Sequence, residues 1–384
     1  MHGHKFSEKL PIYGNKVIGV RNGILEMHGK ERNPVWTELY STADVGATTM
    51  EINYDNTNSN FDWGPGDLLV VAPTDFDFTE SERVTIQSVN TDSTTKRPTI
   101  TFTPALKFKH YAAEETYTTA GLTPDKISMR AEVGLLSRTV KFRGDPETTP
   151  GNQYGAHIML HSGGDESLEG RFSYVELQHV GQAFNLGRYP LHFHMIGLVT
   201  KSYIKGCAIY DTFNRATTLH GVHYLTIENN VMFNAMGHTI FIEDAAETKN
   251  RIINNLVVST RPSNSLLNTD QTPACFWITH PDNIFRNNHC AGSPRYGFWF
   301  DMQTTATGPS FDPNICPTGE VLGEFDGNVV HSVGRYGIRI FHEHTPRTKP
   351  CSGYKASVDP TQFGTSAEME TAAFTDNPHI EAVY

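Results

Sequence analysis

Two histidines separated by one residue, His192 and His194, begin the chemistry legible in this sequence. In an extended strand alternate side chains share a face, so both imidazoles project the same way. His220 occupies the corresponding strand one repeat unit later, and Glu243 with Asp244 closes the unit after that. Stacked units bring such imidazoles and carboxylates close together. Imidazole suits divalent transition metals and carboxylates accept them too. His192, His194, His220 and Asp244 therefore form a coherent ligand set for a divalent metal such as zinc or calcium. The same region offers a second chemistry: His192, His194, Glu243 and Asp244 could act as acids and bases near neutral pH, where histidine titrates. Stacking of like residues for packing alone is a third reading. The sequence does not choose among them, because a register slip of one residue reverses the face on which Glu243 lies.

Cleavage of a glycosidic bond needs a general acid and usually a second carboxylate or an activated water. Glu243, Asp244 and Asp301 stand at strand ends where they could serve. Arg188, Arg215, Arg295 and Arg335 each lie just ahead of the second strand of a unit. Lined along one edge, they would draw an acidic polysaccharide. Arg188, Arg215 and Arg295, with Tyr189 and Tyr296 beside them, are the candidate substrate-binding residues. Trp277, Trp299 and Tyr336 could also seat sugar rings, although half-buried packing is the better reading of the tryptophans. His342 and His344 repeat the one-residue spacing near the end of the pattern, whereas isolated histidines such as His157, His179 and His331 read as packed side chains.

These residues need elements to position them, and the sequence supplies a repeat. Ile204-Lys-Gly-Cys-Ala-Ile, Ile227-Glu-Asn-Asn-Val-Met, Ile252-Ile-Asn-Asn-Leu-Val, Phe285-Arg-Asn-Asn-His-Cys and Phe325-Asp-Gly-Asn-Val-Val share one pattern. Most are followed by a second apolar run after Gly or Ala. The fold class this predicts is all-β: a right-handed parallel β-helix, or solenoid, with Asn side chains laddered along one turn position. An antiparallel sandwich would give no reason for the Asn register. Unequal spacing places expanded loops at Thr260–Pro273 and Thr304–Glu320, and solenoid loops commonly gather on a binding face. Residues 1–135 read as short strands broken by Asn-Gly and Gly-Pro-Gly turns, a small β region ahead of the solenoid. The solenoid itself occupies 136–350, and 351–384 form a C-terminal tail or cap.

Composition narrows the function. The 384 residues carry 31 Lys plus Arg against 42 Asp plus Glu, a net charge of −11. That balance argues against nucleic-acid binding, which draws on clustered basic residues. Charged residues make up only 19%, yet there are 18 histidines, most of them within the repeats. No apolar run of about 20 residues is present, so no transmembrane segment is expected. Met1-His2-Gly3-His4 does not open a signal peptide. Of five cysteines, Cys316 and Cys351 lie in loop sequence suited to a disulfide, and Cys207 reads as a small buried hydrophobe.

Several longer stretches carry a resemblance. They are Arg188-Tyr-Pro-Leu-His-Phe-His194, Leu219-His-Gly-Val-His223, Gly237-His-Thr-Ile-Phe-Ile-Glu-Asp244 and Phe276-Trp-Ile-Thr-His-Pro-Asp-Asn283, with Gly297-Phe-Trp-Phe300 after them. In order and content they resemble the family in which an eight-glycine domain precedes a β-helix, the family of the cell-surface hyaluronidase, the cell-migration-inducing hyaluronan-binding protein and the fibrocystin-like proteins. Pro11–Gly29 looks like the end of the eight-glycine domain, and Trp36–Asp77 like the segment after it. The early half of that domain and the long flanks of the family have no counterpart here. The resemblance implies an extracellular or cell-surface protein whose partner is an acidic polysaccharide such as hyaluronan. It implies endo-hydrolysis in a cleft along the β-helix, with a metal as a possible aid. Two alternatives stand beside it: a non-catalytic adhesion or ciliary-surface module, and a polysaccharide lyase.

Overall fold

In a computed structural model that describes residues 5–118, 121, 123, 125–264 and 268–352, each repeat becomes one coil of a parallel β-helix. Most of the expected tail or cap, 353–384, lies outside the described residues. Three parallel sheets run along the axis. The site sheet stacks, in order, Val17–Val20, His157–His161, Leu191–Leu198, Thr217–His223, Ile240–Ile242, Ala274–Ile278, Tyr296–Asp301 and Tyr336–Phe341. Each of the two other sheets has seven strands.

Alternation along the strands builds the core. In Leu191–Leu198, Leu191 and Phe193 turn inward among the aliphatic column while His192 and His194 turn outward. Inward aromatics stack from coil to coil, Phe276 on Phe298 at 4.4 Å between ring centroids. The doubled asparagines divide two tasks. The first of each pair, Asn229, Asn254 and Asn287, takes a left-handed backbone conformation at the turn, which Asn tolerates better than most residues. The second forms the ladder: Asn230 Nδ2 donates to Asn255 Oδ1 at 2.8 Å, Asn255 to Asn288 at 3.0 Å and Asn288 to Asn328 at 3.0 Å. In the last of these coils Gly327 supplies the left-handed turn where the others use Asn.

The sequence grouped 1–135 as one leading β region, and the strand pairing divides it. Val17–Val20 and Gly23–His28 pair in parallel with His157–His161 and Leu168–Ser173, so they build the first coil of the solenoid. Between that coil and the next lies a closed antiparallel barrel of six strands: Trp36–Leu39, Thr49–Asn53, Leu68–Val71, Glu82–Thr91, Pro98–Thr103 and Glu132–Leu135. Its Val35, Val70, Ala72 and Leu136 pack on Ala208, Val231, Leu256 and Val258 of the solenoid. The Cys316–Cys351 disulfide is present, and Cys207 is free and buried. A second bridge, Cys275–Cys290, crosses the solenoid core between two sheets. The repeat pattern disguised that pair as ordinary apolar rung positions. Among the described residues no helix is long and apolar enough to cross a membrane.

A buried carboxylate is among the polar contacts that stitch barrel to solenoid. Glu132, 1% exposed, accepts from His289 Nδ1 at 2.6 Å and His331 Nε2 at 2.9 Å. It sits beside a cavity of about 230 Å³ that Glu38, Arg130 and Tyr111 also line. Burial alone would raise Glu132's pKa and lower that of His331, but their mutual attraction outweighs it, so Glu132 is depressed and His331 raised. The depressed carboxylate contributes stability above its ordinary value of 4.5, and the raised imidazole contributes below its ordinary 6.5. The junction is therefore tightest between those values and loosens as pH rises through His331's folded pKa. Hydrogen exchange of Glu132–Leu135 should quicken, after correction for intrinsic rates, from mildly acidic to mildly alkaline pH. In His331→Gln that pH dependence should flatten; an unchanged dependence would assign it elsewhere.

Candidate active site

Register places the candidate residues in neighbouring coils. His161 pairs with His194 and Met159 with His192, while His194 pairs with His220 and His192 with Thr218. One coil on, Leu219 pairs with Ile242 and the Glu243 amide bonds the Leu219 carbonyl at 3.0 Å. Glu243 thus continues the outward column His161, His194, His220, and Asp244 follows it as the chain turns.

The contacts are close. His194 Nδ1 and His220 Nδ1 lie 3.0 Å apart, His220 Nε2 lies 2.7 Å from Asp244 Oδ2, and His220 Nδ1 lies 3.3 Å from Glu243 Oε2. Ligand atoms of His192, His194 and His220 all fall within 4.8 Å of one another. His192 Nδ1 donates to the Gly187 carbonyl at 3.0 Å. That bond fixes the tautomer and leaves Nε2 as a lone pair facing inward to the cluster. Nε2 is buried without a hydrogen-bond partner, as are His161 Nδ1 and Glu243 Oε2. His192, His220 and Asp244 are buried, so solvent reaches the cluster through His194 and Glu243.

Electrostatics separates the members. Burial, then the neighbouring imidazoles, push His192 well below the ordinary histidine value and His194 down to about 4. Burial would lower His220 as well, but its bond to Asp244 and the charges of Glu243 and Asp244 raise it. Asp244 is conversely held below the usual carboxylate range, since the His220 contact outweighs its burial. Glu243 goes the other way, raised chiefly by burial. When protonated, His220 donates Nε2–H to Asp244 and Nδ1–H toward neutral His194. Two adjacent carboxyls with opposite shifts are the pattern of an acid beside a permanent anion.

Two surroundings escaped the sequence reading, and one of the expanded loops it marked crosses the cluster. Glu247, fully buried, accepts from the Gly221 amide at 2.8 Å and the Asp244 amide at 3.1 Å, so it fixes the turn that carries Asp244. Its carboxyl is pushed up to about 7, mainly by burial. The His161 ring lies tilted against His194 at 5.0 Å between centroids, and its alignment with His194 one coil on was the available signal. The loop Thr304–Glu320 crosses over Asp244: Thr307 N donates to its carbonyl at 2.7 Å and Ser310 N to Oδ2 at 3.1 Å. Gly308 there has φ +57°, and a Cβ on it would stand 2.3 Å from Asp244 Oδ1. Gly308→Ala should displace Asp244 from His220, besides about 1–2 kcal/mol of left-handed strain. The check is the His220 imidazole signal by NMR, expected to lose its charged, doubly protonated signature.

The other candidates scatter. Arg215 is 1% exposed, its guanidinium clamped by Asp270 at 3.0 and 2.8 Å and lying 3.7 Å over the Phe241 ring. Tyr189 is buried beside it, with its hydroxyl 3.3 Å from Arg215 Nη1. Tyr296 is buried against Trp299 at 4.2 Å, and Trp277 and Trp299 stack within the same cluster. Arg188 is half-buried and Arg295 and Arg335 are exposed, so the four arginines do not form one row. Asp301 is bonded by Gln303, and His344 by the Glu320 carbonyl.

Residues 153–338 match the family profile described as the CEMIP β-helix, and residues 1–40 match the G8 domain. Fibrocystin-L of Mus musculus is 39% identical over 391 residues, spanning 92% of this chain and 9% of that protein. The Homo sapiens cell surface hyaluronidase CEMIP2 is 31% identical over 370 residues, spanning 82% of this chain and 25% of that protein. A G8 domain-containing protein of Dictyostelium discoideum is 31% identical over 346 residues, spanning 84% and 21%. The chain thus spans between about a tenth and a quarter of the length of these relatives.

Proposed function

We propose, on the premise that this chain belongs to the family that joins a G8 domain to the CEMIP β-helix, that its site sheet binds an acidic polysaccharide and hydrolyses it at the His/carboxylate cluster. The observation that carries this reading is the convergence of His192, His194, His220, Glu243 and Asp244 from three successive coils. The name of CEMIP2 supports hyaluronan as the polymer class. Two disulfides fit an oxidising, extracellular setting.

Each residue has a role in that reaction. Glu243, reached by solvent and biased toward its protonated form, donates to the leaving glycosidic oxygen. Asp244 holds His220 by its Nε2–H, so His220 presents Nδ1 toward His194 and Glu243. Neutral His192, whose Nε2 lone pair is unpartnered, accepts a proton from an attacking water, which His194 orients through its Nε2–H because its Nδ1 already accepts from His220. Arg188, whose charge acts on His194, pairs with a uronate carboxylate.

The cluster also fits a divalent metal. His192 Nε2 is buried, unpartnered and fixed as a lone pair, and His194 Nδ1 and His220 Nδ1 face the same space, where both would serve as ligands once His220 gives up its Nδ1 proton. A set of three imidazoles favours a zinc-type ion over calcium, which prefers oxygen ligands. Bound there, such a metal would lower the pKa of a water and polarise the scissile bond.

Enclosure of His192, His220 and Asp244 favours a second reading, a surface module in which the cluster staples three coils without turnover. Incubation of the purified protein with hyaluronan and chondroitin sulfate, with and without chelator, separates the two. The hydrolase reading expects shortened polymer from the native protein and none from His192→Ala/His194→Ala, with circular dichroism unchanged. Intact polymer from a native protein that carries metal would leave the staple, and ultraviolet-absorbing unsaturated products would indicate a lyase.

A further inference from the structure

We infer that an apolar rim straddling the cluster seats the faces of the polymer's sugar rings, with Phe184 and Leu186 on one edge of the site sheet and Phe311 on the other. The inference rests on the polysaccharide reading and extends it to residues outside the reacting cluster. Phe184 and Phe311 are each 64% exposed and Leu186 is 57% exposed, and what marks them is their place on loops tied to the cluster.

Both loops are fixed to the cluster itself. Gly187, next to Leu186, caps His192 through its carbonyl, at the start of strand Leu191–Leu198. Ser310, next to Phe311, donates to Asp244, and its hydroxyl lies 3.7 Å from the sulfur of Met195 toward the far end of that strand. The two apolar edges therefore stand at opposite ends of the strands that carry His192, His194 and His220, and the solvent-open members His194 and Glu243 lie between them.

Neither loop is slack. Asn214 Nδ2 donates to the carbonyls of Gln182 and Asn185 at 3.0 and 3.2 Å, and Arg188 N bonds Asn185 O. Ala306 N bonds Ile315 O at 3.0 Å across the base of the second loop, and Cys316 ties it to Cys351. Phe184 has φ +60°. A bulky residue in that conformation is strained and, at this exposure, gains no burial within the chain in return. Such strain fits a side chain held out for an external ligand. The ligand chemistry follows from what surrounds it: pyranose rings offer apolar C–H faces to aromatic and aliphatic surfaces, and Arg188 in the same loop supplies the charge that an acidic sugar needs.

The test titrates hyaluronan oligosaccharides of defined length against the native protein, Phe311→Ala, Phe184→Ala/Leu186→Ala and, as an exposed control in the barrel, Phe76→Ala. Both rim variants should bind a few-fold to roughly tenfold more weakly, raising KM with kcat little changed, while the control matches the native protein. Rim variants that bind as the native protein does would overturn the rim and leave the polysaccharide reading standing. A native protein that neither binds nor cleaves any acidic polymer would overturn both.

Discussion

Glu243→Gln should lower the rate of hyaluronan cleavage by about 10²–10⁴-fold, the usual worth of a positioned proton donor. Glutamine keeps the volume and the hydrogen-bonding reach of the side chain but cannot surrender a proton to a leaving alkoxide. Polymer binding should be nearly unchanged, since the rim and Arg188 are untouched, so the loss should fall on kcat. Asp244→Asn should also slow turnover, by a different route. The amide cannot hold His220 in its charged state, and the imidazole value, now raised by Asp244 and Glu243, should fall when read by NMR. A Glu243→Gln protein as active as the native one would remove Glu243 from the reaction.

Asp270→Ala should cost about 3–5 kcal/mol of stability, the penalty for leaving a buried charge without its partner. The Arg215 guanidinium is enclosed by Asp270, Tyr189 and Phe241, and removal of the carboxylate leaves no replacement anion in contact with it among the described residues. The His238 amide, which donates to Asp270 at 3.3 Å, loses its acceptor as well. Denaturant unfolding measures the loss. A paired apolar replacement, Arg215→Met with Asp270→Leu, should recover most of it, because the pair's value lies in mutual compensation. If Asp270→Ala unfolds like the native protein, Arg215 is not a structural clamp and returns as a candidate for substrate binding.

The contrast between Arg215 and His194 shows what the sequence could reveal. The Asn-Asn repeats disclosed the coils because two backbone needs, a left-handed turn and a laddered amide, recur at a fixed place in each unit. His192 and His194 were legible for the same reason: strand alternation alone puts them on one face. The arginines looked equivalent because each precedes a strand, but their fate depends on what covers the face. Asp270 arrives from a loop 55 residues beyond Arg215, and no local pattern announces that meeting. Ser310 and Gly308 lie similarly far along the chain from His220. The first coil was hidden more thoroughly, since Val17–His28 finds its partners only after the whole barrel has intervened.

That last arrangement has a kinetic consequence. Coils from Leu168–Ser173 onward can add one to the next through neighbours some 25 residues apart, as Ile204 to Ile227 and Ile227 to Ile252 do. The first coil is different: Val17 must find His157 across 140 intervening steps of chain. Closure over that distance is slow unless the span is shortened. A folded barrel shortens it by bringing its two ends, Trp36 and Leu135, to adjacent strands of one sheet. Barrel formation should therefore precede completion of the solenoid, and a barrel-destabilising change such as Leu69→Ala should delay protection of Val17–Val20 in pulse-labelled refolding more than that of Thr217–His223. The barrel, which contributes no residue to the reacting cluster, would thus set the pace at which the helix is closed at its beginning.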